Sequence, residues 1–145
     1  MKGQRSLSGL IRNLAEFRYQ LRQFLVFSEH AAVRAGVQPQ QHQLLLQIAG
    51  SREPQHATIA WAAERLGLQH HSAVELADRC ARKGWIARAK DPDDARRVIL
   101  RITAKGRRIL GALSADHARE LREMAPHLIR ALENIQPAKS RGRRK

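Results

Sequence analysis

Two short clusters hold side chains whose types and spacing could do chemistry. In the first, Gln69, His70, His71 and Ser72 form a polar run directly after Leu66-Gly67-Leu68. A neutral imidazole offers one hydrogen-bond donor and one acceptor, and a serine hydroxyl offers both. At the start of a helix such groups suit base edges in a DNA major groove, and the helix amides attract phosphate. The plainer reading is a set of exposed polar residues that cap the helix. Glu75 and Arg79 continue the same outer face, with Arg79 placed to meet phosphate. In the second cluster, Asp91-Pro92-Asp93-Asp94 precedes Arg96-Arg97. Arg is the favoured side chain for a narrow, electronegative minor groove, and an acidic neighbour can orient its guanidinium by a charge-assisted hydrogen bond. The plainer reading here is a surface ion pair.

Other reactive residues point to less. Cys80 falls on an apolar stripe, where a cysteine is ordinarily inert packing, whereas a sensor thiol needs exposure and a lowered pKa. His30, His42, His117 and His127 show no HxxxH or CxxC spacing and no accompanying carboxylate cluster, so no metal site is expected. A Gly-rich phosphate loop and a nucleophile motif are both missing, so no catalytic residue, cofactor or enzyme activity is expected.

Hydropathy shows which elements must hold the clusters. From Ser6 to about Arg34, Leu7, Leu10, Ile11, Leu14, Phe17, Leu21, Phe24, Leu25 and Phe27 recur at spacings of three and four, which predicts a long amphipathic helix. A small domain cannot cover it all, so the surplus face is expected to meet another chain. Gly36 stops it, and Pro39 suits the first turn of a second helix over 39–49, in which Leu44, Leu45, Leu46 and Ile48 read as buried. Residues 50–57 read as a loop around Pro54. Thr58 is the expected N-cap of a short helix over 59–66 that turns Ala62, Ala63 and Leu66 inward. Gly67 leads into a fourth helix with the stripe Ala73, Leu76, Ala77, Cys80 and Ala81, ending at Gly84. Two helices around a short Gly-containing turn form a helix-turn-helix. Trp85 to Ala89 and Val98 to Ile102 flank the charged loop and predict a two-stranded hairpin. Thr103 then caps a helix over 104–124, and Pro126 is expected to separate it from a last helix over 127–135. That last helix carries Leu128, Ile129 and Leu132 on a face with no obvious cover, so the first and last helices are expected to pair in a homodimer.

A formal charge of +14 over 145 residues favours a polyanionic partner, double-stranded DNA above all. Charge alone would equally suit a non-specific nucleic-acid-binding or architectural protein. No stretch approaches the roughly 18 apolar residues of a membrane span. The first residues do not read as a secretion signal, and the lone Cys80 cannot form an intramolecular disulfide. A cytoplasmic location without membrane contact is the expectation.

Residues of this central stretch carry a family resemblance. Leu66-Gly67-Leu68, His70-His71-Ser72-Ala73-Val74-Glu75-Leu76, Asp78-Arg79, Gly84, Asp91-Pro92-Asp93-Asp94, Arg96-Arg97, Thr103 and Gly106 resemble the winged helix-turn-helix core of the MarR (multiple antibiotic resistance regulator) family. The fold so implied is mainly α with a small β-hairpin wing. It is one domain over 1–145: a winged helix-turn-helix DNA-binding core at 37–103, long N- and C-terminal dimerisation helices at 6–35 and 104–136, and a basic disordered tail at 137–145. The function so implied is a transcription regulator, commonly a repressor, acting as a homodimer on a pseudo-palindromic operator. The resemblance sends the fourth helix into the major groove and Arg96, braced by Asp94, into the minor groove. The DNA-facing set is then Thr58, Gln69, His70, His71, Ser72, Glu75, Arg79, Asp94, Arg96 and Arg97. Some members of the family bind small aromatic effectors between their two parts, a position that would here draw on Phe27, His30, His42 and Trp61. The sequence departs from the pattern at Gln69, where relatives often carry Ser, and at Cys80, where they usually carry a larger aliphatic residue.

Overall fold

The computed structural model describes residues 7–135, so the expected disorder of the tail at 137–145 lies outside the described residues. In chain order the elements are α1 (Leu7–Arg34), α2 (Pro39–Ala49), α3 (Ile59–Leu66), α4 (His70–Arg82), β1 (Ile86–Lys90), β2 (Val98–Ile102) and α5 (Ala104–Ile135). A 3-10 turn, Pro54–His56, precedes α3. The described chain forms two compact units: Ser28–Asp116 is one, and residues 7–27 with 117–135 are the other.

The winged unit is built on small and aliphatic side chains. Leu44 and Leu45 of α2, Ala62 of α3, and Ala73, Leu76, Ala77 and Cys80 of α4 are buried with Trp85, Ile86, Ile99 and Leu100. Leu46, expected inside, is 40% exposed, because consecutive helical residues turn by about 100° and three in a row cannot share one face. The start of α2 is closed by Gln41, whose side-chain oxygen accepts the backbone N–H of Gln38 at 2.9 Å. That bond accounts for a carboxamide among the buried residues.

Between α3 and α4, Gly67 sits at φ 65° and ψ 34°. Leu68 N–H reaches back to the Ala63 carbonyl at 2.9 Å, the closure that a left-handed residue at a helix end permits. A side chain at this φ is disfavoured, so Gly67 sets the angle at which α4 leaves α3.

The hairpin pairs Ile86 with Ile102 and Lys90 with Val98 in antiparallel register. Its first strand starts one residue later than the sequence suggests, because the Trp85 N–H is used to close α4, donating to the Cys80 carbonyl at 3.0 Å. The hairpin also gains a partner that hydropathy did not reveal. Thr58 forms an isolated bridge with Ile99, and Leu100 N–H donates to the Ala57 carbonyl at 2.8 Å. The wing is thereby stitched to the residues that open α3.

The chain enters α5 at an equally tight joint. Thr103 Oγ1 donates to the Gly84 carbonyl at 2.6 Å and accepts the Gly106 N–H at 3.1 Å. A Cβ on Gly106 would overlap the backbone carbonyl of Trp85, so this close approach requires glycine.

In the helical unit, Phe24 and Phe27 of α1 stand edge-on to His117 of α5, with ring centroids 5.9 and 5.4 Å away. Asn13 Nδ2 donates to the Asn134 carbonyl at 3.3 Å. The expected break at Pro126 does not occur: α5 runs through it without interruption. Proline removes one helical N–H and crowds the carbonyl four residues back. Met124 and Ala131, seven residues apart and therefore on one face, are both buried and hold the helix on either side of the defect. Part of the last helix is thus covered within the chain, while Ile129 and Leu132 remain 54% and 43% exposed. On α1, Leu7, Ile11 and Leu25 are 72%, 57% and 50% exposed.

Candidate nucleic-acid interface

The helix α4 has a sharply divided surface. Ala73, Leu76, Ala77 and Cys80 face the core, while Gln69, His70, His71, Glu75 and Arg79 are exposed and Ser72 is half-buried. The divide follows from the helical repeat of the sequence itself. Gln69 occupies the N-cap without a side-chain capping bond, so it leaves the first-turn amides uncapped. By contrast, Thr58 closes α3 firmly, its Oγ1 accepting the Trp61 N–H at 3.2 Å.

The wing loop is shaped by its carboxylates. Asp91 Oδ1 accepts the Asp93 N–H at 2.9 Å, and Asp94 Oδ1 accepts the Arg96 N–H at 3.0 Å, the local turns that Asp side chains form with backbone two residues on. The Asp91 N–H donates to the Arg97 carbonyl at 3.0 Å, closing the loop across its neck. Asp94 also touches the Arg96 guanidinium, with Nε at 3.4 Å. Its shorter bond is to the Arg96 backbone, so Asp94 positions Arg96 mainly by setting the loop. The Arg96 side chain is 92% exposed, too free for its ion pair to matter much to the fold.

Thr58, His70, Arg96 and Arg97 line one open groove of about 360 Å³, together with Ile59, Ala60 and Val98. Four of the ten sequence-derived candidates therefore meet on one surface, contributed by the starts of α3 and α4 and by the wing. Glu75 and Arg79 line a separate groove of about 240 Å³ farther along α4, beside Asp78 and Arg82. Asp78 also pairs with Arg88 of β1 and ties α4 to the hairpin. Sequence patterning did not assign that role, because the partners meet only once the hairpin folds back on α4.

Of the residues considered for an aromatic effector, Trp61 is half-buried and lines a groove between α2 and α3. His42 is buried in α2, His30 is exposed on α1, and Phe27 stands against His117. Cys80 is fully buried, and desolvation pushes its thiol from 9.0 up to about 11. Among the described residues no group of three His, Cys, Asp or Glu side chains is placed to hold a metal ion. No described helix is long and apolar enough to cross a membrane.

The helix-turn-helix with its appended hairpin defines a winged-helix protein. Residues 35–97 match the profile of the MarR family. The chain is similar to a MarR family protein from Bacillus stearothermophilus, at 20% identity over 93% of this chain and 96% of that one, with a TM-score of 0.70. It is similar to a mutant MarR from E. coli complexed with operator DNA, at 19% identity over 83% of this chain and 90% of that one, with a TM-score of 0.61. It is also similar to CouR from Rhodococcus jostii RHA1 bound to p-coumaroyl-CoA, at 20% identity over 78% of this chain and 83% of that one, with a TM-score of 0.61. At these identities the likeness to solved structures is one of fold. A comparison with curated proteins returned no match. The family profile over residues 35–97 and the fold of the chain both resemble those of MarR family proteins.

Proposed function

We propose that the chain is a sequence-specific DNA-binding transcriptional regulator, a repressor acting as a homodimer on a pseudo-palindromic operator and released by a small aromatic effector. The observation that carries this reading is the shared groove of Thr58, His70, Arg96 and Arg97. It sets the start of a surface helix beside an exposed wing arginine, an arrangement suited to one major groove and the minor groove next to it. His70, His71 and Ser72 then meet base edges, Thr58 and Arg79 meet phosphates, and Arg96 enters the minor groove with its loop held by Asp94. Operator DNA bound to the similar E. coli protein supports the reading, and the ligand of the similar CouR supports a regulated one. One copy presents a single α4 and a single wing, and the exposed apolar residues of α1 and α5 supply a surface for the second.

The test is footprinting and affinity measurement on DNA upstream of the protein's own gene. A regulator protects two half-sites about 10 base pairs apart and prefers that site over random DNA by more than roughly 10³ at physiological salt. The net charge of +14 favours one other reading, a non-specific binder. Affinity that hardly distinguishes the two DNAs would establish that reading instead.

A further inference from the structure

We infer that Glu75 is a specificity-determining residue, its carboxylate accepting a hydrogen bond from the exocyclic amine of one cytosine in each half-site. The inference rests on the DNA-binding reading and adds to it a particular base.

The spacing of α4 puts Glu75 on its outer side. Ala73, Leu76, Ala77 and Cys80 are buried. At about 100° per residue, His71 and Glu75, four positions apart, fall together on the side that faces away from them. Both are exposed. Glu75 lies within the first two turns of α4, which begins at His70, and residues near the start of a recognition helix are those that reach base edges. Asp78, the next residue along this side, is engaged by Arg88 of β1. Glu75 has no hydrogen bond or ion pair among the described residues, although Arg79 stands one turn on and lines the same groove. The outer side of α4 therefore carries two carboxylates, one neutralised by the wing and one left to meet whatever docks there.

A carboxylate in that place opposes most DNA sites. It repels phosphates, and it accepts hydrogen bonds but donates none. Once the helix is seated and water displaced, the charge stays unpaired unless a donor faces it. In the major groove guanine presents N7 and O6 and thymine presents O4, all acceptors. The donors are the N4 amine of cytosine and the N6 amine of adenine, and adenine sets its N7 acceptor beside that amine. Cytosine alone offers a donor with no acceptor on the same base edge, so it is the base that Glu75 selects. The same charge works against indiscriminate binding by a chain of net charge +14, because it lowers affinity wherever the cytosine is missing. Non-specific attraction to phosphate requires the opposite.

The experiment is selection of sites from a randomised double-stranded DNA library by full-length wild type, Glu75→Gln and Glu75→Ala, followed by affinity measurement on single-base variants of the selected site. Wild type should enrich a two-fold site with a C·G pair in each half, bound about tenfold more tightly than the same site with another pair there. Glutamine matches N6 and N7 of adenine, so Glu75→Gln should select adenine at that position and leave the rest of the site unchanged. Glu75→Ala should lose the preference at that position and bind random DNA more tightly than wild type does. Arg79→Ala, a phosphate-contact control, should weaken all sites alike. One and the same site selected by wild type and both Glu75 variants overturns the role of Glu75 and leaves the regulator reading intact. A Glu75-dependent position that is adenine in the wild-type site overturns the assignment of cytosine. Failure of wild type to enrich any site overturns the DNA-binding reading, and this inference with it.

Discussion

Arg96 and Cys80 are opposite cases at the scale of the residue. Arg96 is 92% exposed and touches little of the fold beyond its own loop. Arg96→Ala should therefore weaken operator binding about tenfold while changing unfolding free energy by no more than about 0.5 kcal/mol. Band-shift titration and thermal melts on one preparation check both, and equal affinity for the two proteins would remove Arg96 from the interface. Cys80, fully buried, contributes only packing, and its thiol is pushed up from 9.0 to about 11 by desolvation. In the unfolded chain the thiol ionises first. Its stabilising contribution is therefore fully present below about pH 9 and lost as pH rises toward about 11. The stability advantage of wild type over Cys80→Ala should shrink across that interval, read from urea unfolding at several pH values. A constant difference would show that the thiolate is not penalised in the fold.

The elements are held by joints, and two of these give opposite predictions. At the start of α5, Gly106 faces the Trp85 carbonyl, and neither backbone can yield without disturbing the Thr103 bond to Gly84. Gly106→Ala should destabilise the protein by about 1–3 kcal/mol, the usual cost of overpacking. Pro126 is the converse, a helix-breaking residue that the surrounding burial of Met124 and Ala131 overrides. Pro126→Ala restores an N–H and relieves the crowded carbonyl, so it should stabilise by about 1–3 kcal/mol. Chemical unfolding measures both, and a destabilised Pro126→Ala protein would mean that the proline is needed for packing.

For the whole molecule the open question is assembly. Ile11 and Ile129 are 57% and 54% exposed on the helical unit, two aliphatic side chains that a single copy leaves facing solvent. If this face joins two copies, Ile11→Glu combined with Ile129→Glu should give a monomer in sedimentation at micromolar concentration. Operator affinity should fall with it, since each copy engages only one half-site. An unchanged sedimentation profile would move the interface elsewhere. The cations of the tail, Lys139, Arg141, Arg143, Arg144 and Lys145, bear on the same scale. Deleting residues 137–145 should lower the slope of log affinity against log salt by about 0.9 for each phosphate that the tail neutralises in the full chain.

Much of this protein is determined by local sequence. The bounds of α2 and α3, the Thr58 cap, the Gly67 turn and the divided surface of α4 follow from repeats and residue types that act within one or two helical turns. The hairpin is visible for the same reason, since Asp-Pro and a β-branched strand mark it locally. Five results needed the folded chain. The break at Pro126 was overridden by burial on both sides, which no single-segment pattern contains. The bridge from Thr58 to Ile99 and the pair of Asp78 with Arg88 join residues brought together only by packing. Asp94 proved to hold the Arg96 backbone more closely than its guanidinium, a matter of tenths of an ångström. Trp61 shares a groove with Arg65 and Gln47, a grouping that sequence spacing alone does not contain. Short-range propensity and periodicity wrote the elements, and long-range packing decided which side chains share a groove.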